Sequence, residues 1–387
     1  MKVAVVFYAL APEGGGVHTF QRSVLEALRA AEPDSEHEFV FYSAGGGGEP
    51  GVHAVPAGYV PTMRRRGIQV AREVFDRFQA PRRLGATWFE RSLDDQGVEF
   101  VWFAGTWAED CDQPYLFTVF DLAHLLEPHF PEVRAGGEWE RRHLHFGKFL
   151  PKASGVIVPN EAGKRQVERF FDVPAERILC LPHPTPDFAR RPDEFGDDRA
   201  VLEREGIRRP YLLYPAQFWA HKNHATLLEA LALLDGYDLV LVGSDKGQQG
   251  HVERLAREAG VAGRVHVLGF VETATLISLY RSAHALVYLS FFGPENLPPL
   301  EAFALGCPVV ASDVPGAREQ MGDAARLVPV LDARAAADAV QTLEDESERE
   351  RSIALGRERA AELTAEGYVA GALEFIDGFA AVRRCWA

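Results

Sequence analysis

Two stretches of the chain, KVAVVFYALAPEGGGVHTFQRSVLEAL (residues 2–28) and YLLYPAQFWAHKNHATLLEALALL (residues 211–234), follow the same pattern. Each begins with an apolar run typical of a buried strand, continues through a loop, and ends in the periodicity of an amphipathic helix. Further apolar runs alternate with helical patterns after both stretches. Such alternation is typical of βαβ units, which build parallel sheets. We therefore predict an α/β protein with two Rossmann-like, doubly wound domains that face a central cleft.

The size and charge of the chain narrow the functional classes. Its 387 residues exceed one average domain and suit two. The formal net charge of −15 disfavours nucleic-acid binding, because phosphates would be repelled. The four cysteines show no CxxC spacing, which suits reduced thiols, and the first apolar run is shorter than a signal peptide or a membrane span requires. These features predict a cytoplasmic protein.

A segment rich in proline and charge, residues 181–210, has the composition of a linker. We therefore predict a first domain over residues 1–188 and a second over residues 189–365. Residues 366–387 are predicted to form a C-terminal helix. Each domain then contains one of the two repeated stretches.

An arginine cluster, Arg64, Arg65 and Arg66, precedes an amphipathic pattern in this acidic chain. One interpretation is a solvated helix face. The other is contact with an anionic acceptor or with the inner face of a membrane. The sequence leaves both open.

Three glycines, Gly14, Gly15 and Gly16, lie between the first strand and the first helix. Backbone amides and the helix dipole make such a loop favourable for anions, and glycine lets a ligand approach the backbone closely. The spacing is neither GxGxxG nor a Walker loop, so an NAD-dependent oxidoreductase is disfavoured. A tight turn without a ligand is the alternative interpretation.

Lys222 directly precedes a predicted helix for which Asn223 is a plausible N-cap. A fixed cation and the positive end of a helix dipole would act on the same anion, which suits a diphosphate leaving group. The alternative is an exposed lysine in front of a capped helix.

The stretch from Ser290 to Val328 contains the segment GPENLPPLEA (residues 293–302). Pro298 and Pro299 favour a helical first turn, so that Asn296 or Leu297 would offer free amides. Glu301 would then project at the carboxyl end of a strand, where it could accept two hydrogen bonds from the vicinal hydroxyls of a ribose. A surface glutamate that stabilises the helix dipole is the alternative. No Asp-x-Asp cluster is present, so we expect no metal.

The second half of the chain resembles the retaining family 4 glycosyltransferases, which use nucleotide sugars on a GT-B fold of two Rossmann-like domains. The segments that carry the resemblance are YPAQFWAHKNHATLLEAL, LVLVGSDKG, the whole stretch from Arg264 to Val328, and LDARAAADAV. The first half is similar more loosely, through GGGVHTFQRSVLEAL, TVFDLAHLLEPHFPE and SGVIVPNEAGKRQV. Together these segments extend over nearly the whole chain. The resemblance implies an acceptor-binding first domain, a donor-binding second domain, and a last helix that crosses back to the first.

The resemblance also implies roles for individual residues. Lys222 would contact the donor diphosphate, and Glu301 the donor ribose. The amides of Asn296 and Leu297 would reach phosphate or sugar. The remaining implied positions are Phe270 and Val271 at the base, Gly15 and Gly16 beside the diphosphate and acceptor, Gln217 beside the lysine, and the catalytic candidates Asp121 and His124 near the transferred sugar.

Three positions depart from the family pattern. Gly293 stands where the usual Glu-x7-Glu pair has its first glutamate, and Glu295 is out of register. Gln217 replaces the arginine that commonly accompanies the lysine. Phe120 replaces a histidine, which leaves His124 as the candidate. We interpret these changes as those of a variant branch.

The resemblance implies a retaining hexosyltransferase that acts in polysaccharide, glycolipid or natural-product biosynthesis. The donor would be a GDP- or UDP-linked sugar, with mannose-type donors favoured, and no cofactor is expected. The acceptor would be a hydroxyl of a lipid-linked sugar, a glycan or a small molecule. A hydrolysing sugar-nucleotide 2-epimerase and a non-catalytic nucleotide-sugar-binding or scaffold protein remain as alternatives.

Overall fold

The structure, a computed structural model, describes residues 1–8, 10, 15–43, 49–55, 87–190, 198–208 and 210–386. Gly14 and the arginines at 64–66 lie outside the described residues. The predicted contact of these arginines with an acceptor or a membrane therefore stays a prediction.

Within these ranges, thirteen strands form two sheets, and every strand pairing is parallel. The first sheet contains β1 (Lys2–Phe7), β2 (Glu38–Ser43), β3 (Val52–Ala54), β4 (Phe100–Phe103), β5 (Tyr115–Thr118), β6 (Gly155–Val158) and β7 (Ile178–Cys180). The second contains β8 (Tyr211–Pro215), β9 (Asp238–Val242), β10 (Val265–Gly269), β11 (Ala285–Tyr288), β12 (Val309–Ser312) and β13 (Ala325–Val328).

The α-helices lie between the strands. In the described part of the first half they are α1 (Gly16–Ala31), α2 (Trp88–Asp95), α3 (Ala123–Leu126), α4 (Pro131–Arg134), α5 (Glu138–Phe149), α6 (Glu161–Phe171), α7 (Asp187–Arg190) and α8 (Asp198–Arg204). The second half contains α9 (His224–Ala232), α10 (Gln249–Glu258), α11 (Thr273–Ser282), α12 (Leu297–Ala304), α13 (Ala317–Met321), α14 (Ala333–Thr342), α15 (Glu346–Glu362) and α16 (Ala365–Arg383). Short 3₁₀ turns include residues Ala220–Lys222.

The two sheets share one topology. Their strand orders are β3-β2-β1-β4-β5-β6-β7 and β10-β9-β8-β11-β12-β13. In the first sheet the strand order reverses between β1 and β4, and in the second sheet it reverses between β8 and β11. β1 and β8 are the first strands of their sheets along the chain. Ligands of open parallel sheets bind at such switch points, outside the carboxyl ends of the strands. The structure thus confirms the predicted fold class of two Rossmann-like domains.

The strands form where the sequence is apolar on both faces. All residues of β4, β5, β6, β9, β11 and β12 are buried, as a parallel sheet covered by helices requires. The helices contribute the other side of each core. On α1, Phe20, Val24, Leu25 and Leu28 are buried against the first sheet. Each such side chain contributes about 1.5–3 kcal/mol of hydrophobic free energy.

The last helix packs within the first domain. Residues Tyr368, Val369, Ala372 and Ile376 of α16 belong to the same buried cluster as Phe20 of α1. The chain also passes between the sheets near Thr185, whose amide and hydroxyl donate to the carbonyls of Leu363 (2.8 Å) and Ala360 (2.9 Å). The two interdomain connections therefore run side by side. The segment with linker composition also contributes α7 and α8, so it is partly ordered against the second domain.

Candidate functional site

The turn that follows β8 presents Lys222. The chain leaves β8 into the 3₁₀ turn Ala220–Lys222, and Asn223 then adopts a left-handed conformation with φ of 54°. Its side-chain oxygen accepts from the Thr226 amide at 3.4 Å and so caps α9. The Tyr214 hydroxyl, from β8 itself, donates to the Lys222 carbonyl at 2.5 Å. These contacts fix the backbone of Lys222 at the carboxyl edge of the second sheet.

The Lys222 side chain is part of a series of hydrogen-bonded polar side chains that crosses the switch point of the second sheet. Its Nζ donates to the Tyr288 hydroxyl at 2.9 Å and lies 5.2 Å from the centre of that ring. The Tyr288 hydroxyl donates in turn to Asn296 Oδ1 at 3.3 Å. A lysine ammonium has three N–H donors, so Lys222 keeps donors for an anion. Tyr288 ends β11 and thereby connects the lysine to the start of α12.

The start of α12 differs from what the sequence suggests. The Asn296 amide donates to Gln320 Oε1 at 3.1 Å, and Gln320 Nε2 donates to the Asn296 carbonyl at 2.8 Å. The Asn296 amide is therefore not free for a ligand, and our expectation for it was wrong. Pro298 and Pro299 have no N–H. Of the two backbone amides that were predicted to bind phosphate or sugar, the amide of Leu297, the first residue of α12, therefore remains.

Glu301 lies in α12 with only 7% of its surface exposed. The Tyr280 hydroxyl donates to its Oε2 at 2.7 Å. Burial raises the pKa of Glu301 to about 7, although the bond from Tyr280 opposes this shift. The carboxyl group is therefore poised between its charged and neutral forms near neutral pH, and ligand hydroxyls that donate to it would favour the charged form.

The glycine loop of the first domain lies against the second domain. Gly15 has φ of 58°, and a Cβ added to it would lie 3.4 Å from Gln217 Nε2. A Cβ on Gly16 would lie 3.8 Å from Leu297 Cδ1. The structure thus brings these four predicted residues together across the cleft. The Gln217 side chain is oriented by Trp219, whose Nε1 donates to Gln217 Oε1 at 2.9 Å.

Asp121 lies just beyond the carboxyl end of β5. Its Oδ1 accepts from Arg142 Nη2 at 2.9 Å and from the Ala123 amide at 2.9 Å. Burial alone would raise the pKa of Asp121, but Arg142 and the Ala123 amide hold it below its usual range. Asp121 is therefore a fixed carboxylate at the carboxyl edge of the first sheet.

The structure does not bring His124 to the cleft. The side chain is fully buried, and its ring lies 5.5 Å from Phe146 and 6.2 Å from Trp139, centre to centre. Both ring nitrogens are buried without a hydrogen-bond partner in the described residues. Burial, with a smaller effect of Arg142, lowers the pKa of His124 to about 4. His124 is thus a neutral histidine packed in the wall of the first domain.

Phe270 and Val271 follow β10 at the same edge as Lys222. Gly269, with φ of 67°, turns the chain, and its carbonyl accepts from the Gly243 amide at 2.8 Å. Phe270 is 75% exposed. Because β10 is an edge strand, two places from β8, these residues lie to one side of the lysine.

The departures from the family pattern have structural counterparts. Gly293 has φ of 130°, and a Cβ there would lie 2.6 Å from Asn296 Nδ2, so a glutamate would displace Asn296. Glu295 does not replace that glutamate, since its side chain is buried between the domains and accepts from the His183 amide at 2.5 Å. Burial raises the pKa of Glu295 well above its usual value.

Side chains of the donor edge that were not predicted include Tyr280, Tyr288 and Gln320. Tyr280 is buried in α11, Tyr288 ends the apolar strand β11, and Gln320 lies in the short helix α13. A tyrosine within a buried apolar segment indicates a hydroxyl that needs a partner, and this signal was available. In the described part of the chain, no group of three His, Cys, Asp or Glu residues is placed to hold a metal ion. Nor does any described helix have the length and hydropathy of a membrane span.

Comparison with known proteins agrees with this geometry. Residues 199–359 match the family model of the glycosyl transferases group 1. The O-antigen chain mannosyltransferase B of Escherichia coli is 30% identical over 259 residues, which cover 64% of this chain and 66% of the relative. The chain thus spans under two thirds of the length of this relative, and 59% of an alpha-D-kanosaminyltransferase of Streptomyces kanamyceticus that is 27% identical.

Solved structures match the whole fold. Sucrose-phosphate synthase from Thermosynechococcus elongatus superposes with a TM-score of 0.76 at 21% identity, covering 99% of this chain and 100% of that one. Alr3699/HepE of Anabaena, in complex with UDP, superposes with a TM-score of 0.67 at 15% identity, covering 98% and 100%. At these identities the likeness establishes the GT-B fold.

Proposed function

We propose that this protein is a hexosyltransferase that moves a sugar, with mannose-type donors favoured, from a nucleotide diphosphate to an acceptor hydroxyl. The observation that carries the proposal is the bonded chain Lys222–Tyr288–Asn296 at the switch point of the second sheet, with Glu301 on the adjacent helix. A cation and a buried carboxyl group at one sheet edge suit a diphosphate and a ribose. The mannosyltransferase named above and the UDP complex of a structural neighbour add support.

The proposed reaction retains the configuration at the anomeric carbon. The acceptor oxygen attacks that carbon from the face that the diphosphate leaves, the bond between carbon and phosphate oxygen breaks, and the acceptor proton passes to the leaving phosphate. Lys222 stabilises the negative charge that builds on the diphosphate, together with the amide end of α12. Glu301 orients the donor through its ribose. No metal takes part in this scheme.

The first domain is proposed to bind the acceptor. Gly15 and Gly16 let the diphosphate and the acceptor approach the backbone closely. In this proposal Asp121, which is kept charged by Arg142, accepts a hydrogen bond from a hydroxyl of the transferred sugar. His124 has no part in this scheme because it is buried.

A second candidate function is nucleotide-sugar binding without transfer. It is favoured by Gly293 and Gln217, which remove one acidic and one basic side chain from the family pattern. Both functions require Lys222 and Glu301 for binding, so only turnover separates them.

The decisive experiment is a panel of GDP- and UDP-linked hexoses, followed by thermal denaturation and by release of the nucleotide diphosphate. A correct donor at about 100 times its Kd raises the free energy of unfolding by about 2.7 kcal/mol. Turnover with any donor supports the transferase, whereas binding with neither hydrolysis nor transfer supports the second function. The absence of stabilisation by every nucleotide would refute both. Loss of activity with EDTA, restored by magnesium, would contradict the metal-free scheme.

A further inference from the structure

A carboxylate of the first domain is bonded to the residue immediately before Lys222. Glu132 lies in α4, 89 residues before its partner His221 in the 3₁₀ turn after β8. Glu132 Oε1 accepts from the His221 backbone amide at 2.9 Å and lies 2.5 Å from His221 Nδ1. One carboxylate oxygen therefore holds both the backbone and the ring of His221 across the interdomain cleft.

The protonation of the pair is determined by burial and by the short contact. The side chain of Glu132 is 8% exposed and that of His221 11%. Burial lowers the pKa of His221 to about 4, against the effect of Glu132. Although burial opposes it, the bonds from His221 hold the pKa of Glu132 below its usual range. A neutral imidazole thus donates its Nδ1–H to a charged carboxylate, which selects one tautomer of His221.

Apolar groups from both domains enclose this pair. The cluster consists of Ala123, Phe130 and Val133 from the first domain and Ala220, Phe291 and Phe292 from the second. The ring of His221 stacks on Phe292 with centres 4.2 Å apart and meets Phe130 edge-on at 6.3 Å. Because the surroundings exclude water, the bond to the carboxylate is stronger than it would be on a surface.

The backbone that leads into Lys222 is held on both sides. The amide of His221 donates to Glu132 of the first domain, while its carbonyl accepts from the Phe291 amide at 2.9 Å. We propose that Glu132 is a positioning residue that sets Lys222 for the donor diphosphate through His221, so that the phosphate-binding lysine is in place only when the first domain is docked. The inference rests on the proposed function, since it assumes that Lys222 binds the diphosphate.

The other carboxylate oxygen argues against a purely structural role. Glu132 Oε2 is buried and has no hydrogen-bond partner in the described residues. An unsatisfied buried acceptor costs free energy, and a contact serving only to join the domains would be expected to satisfy both oxygens.

The test is binding of GDP, UDP and the corresponding nucleosides to Glu132→Ala, Lys222→Ala and the double variant by calorimetry. We expect Glu132→Ala to weaken binding of the preferred diphosphate about tenfold. Nucleoside affinity should not change, and the double variant should bind no worse than Lys222→Ala alone. Glu138→Ala, which removes a carboxylate bonded to Arg141 within the first domain, is the matched control and should bind as wild type does.

The outcomes separate the inference from the function on which it rests. If Lys222→Ala binds the diphosphate as tightly as wild type, the proposed donor site is wrong. If Lys222→Ala binds the diphosphate more weakly than wild type while Glu132→Ala does not, the positioning role alone is refuted. The same holds if the losses of binding free energy of the two single variants add in the double variant. Should Glu132→Ala fail to fold, Glu132→Gln replaces it. Its amide oxygen still accepts from His221 but lacks the charge, so we expect a loss of about threefold in diphosphate affinity, and wild-type affinity would overturn the inference.

Discussion

The two sheets have the same strand order, but their carboxyl edges differ in how the polar groups are held. In the second domain, Lys222, Tyr288 and Asn296 bond to one another in series across the switch point. In the first domain, the glycine loop offers backbone, and Asp121 is bonded to Arg142 on a neighbouring helix. The same scaffold thus has an interlocked side-chain network on one edge and a single ion pair with open backbone on the other. The side-chain network of the second domain suits a donor bound in one pose.

The largest effect should come from removing the cation of the second edge. Lys222→Ala is expected to lower kcat by about 10²–10³, or about 2.7–4 kcal/mol, because the leaving diphosphate loses its charge partner. Steady-state kinetics with the preferred donor measures this. Lys152→Ala, an exposed lysine at the end of a 3₁₀ turn of the first domain, is the control and should retain full activity. A Lys222→Ala enzyme with the wild-type rate would show that the network is not the donor site.

The next effect concerns the buried carboxyl group of the same edge. The pKa of Glu301 is raised by burial to about 7, above the value of about 4.3 for an unfolded chain. The folded state thus binds more protons between these values, so this group makes stability fall as the pH rises from about 4 through 7. The total loss is about 4 kcal/mol. Urea denaturation of wild type and Glu301→Gln from pH 5 to 8 measures this.

The glutamine variant lacks the titration and should therefore lose less stability than wild type over that range. Donor binding by wild type should tighten as the pH rises through 7, because the charged carboxylate is the better acceptor for ribose hydroxyls. Equal pH dependence of stability in both proteins would contradict the raised pKa. Donor affinity that is flat with pH in wild type would argue against contact with the ribose.

A smaller, different effect is expected at the first edge. Asp121→Asn removes the charge beside Arg142 and should reduce kcat about tenfold. Affinity for the nucleoside diphosphate without its sugar should be unchanged, since Asp121 is proposed to contact only the transferred sugar. Calorimetry with the nucleoside diphosphate, combined with kinetics, separates these two quantities. A loss of diphosphate affinity equal to the loss of kcat would contradict the proposed division of labour between the edges.

The smallest effect is expected at His124. His124→Phe should keep activity within about twofold of wild type and leave stability equal or slightly higher, because two unsatisfied buried nitrogens are replaced by an apolar ring. Activity and thermal denaturation test this directly. If the variant folded normally but lost turnover, His124 would have to reach the cleft in a state that differs from this structure.

The sequence predicted the fold well because long buried strands leave a strong apolar signal. β1, β9 and β11 coincide with apolar runs, whereas β3, β7 and β13 were not predicted. These three strands have only three or four residues each and lie at the edges of the sheets, so little apolar sequence marks them. The apolar sequence pattern thus identifies strands that are buried on both faces, but it does not identify short strands at the edges of the sheets.

The site was predictable only where neighbours along the chain determine it. Asn223 caps α9 as its position before the helix suggested. The amide of Asn296 is occupied by Gln320, 24 residues later, and Glu132 meets His221 across 89 residues. Contacts between residues so far apart along the chain leave no signal in the local sequence pattern. His124 shows the same limit, since its burial depends on aromatic side chains from α5.

The most direct measurement is the structure of the protein with GDP or UDP bound, whichever stabilises it more. We expect the diphosphate within hydrogen-bond distance of Lys222 Nζ and the ribose hydroxyls at the carboxyl group of Glu301. A nucleotide bound elsewhere, with both side chains left without contact to it, would contradict the proposed donor site and the function built on it.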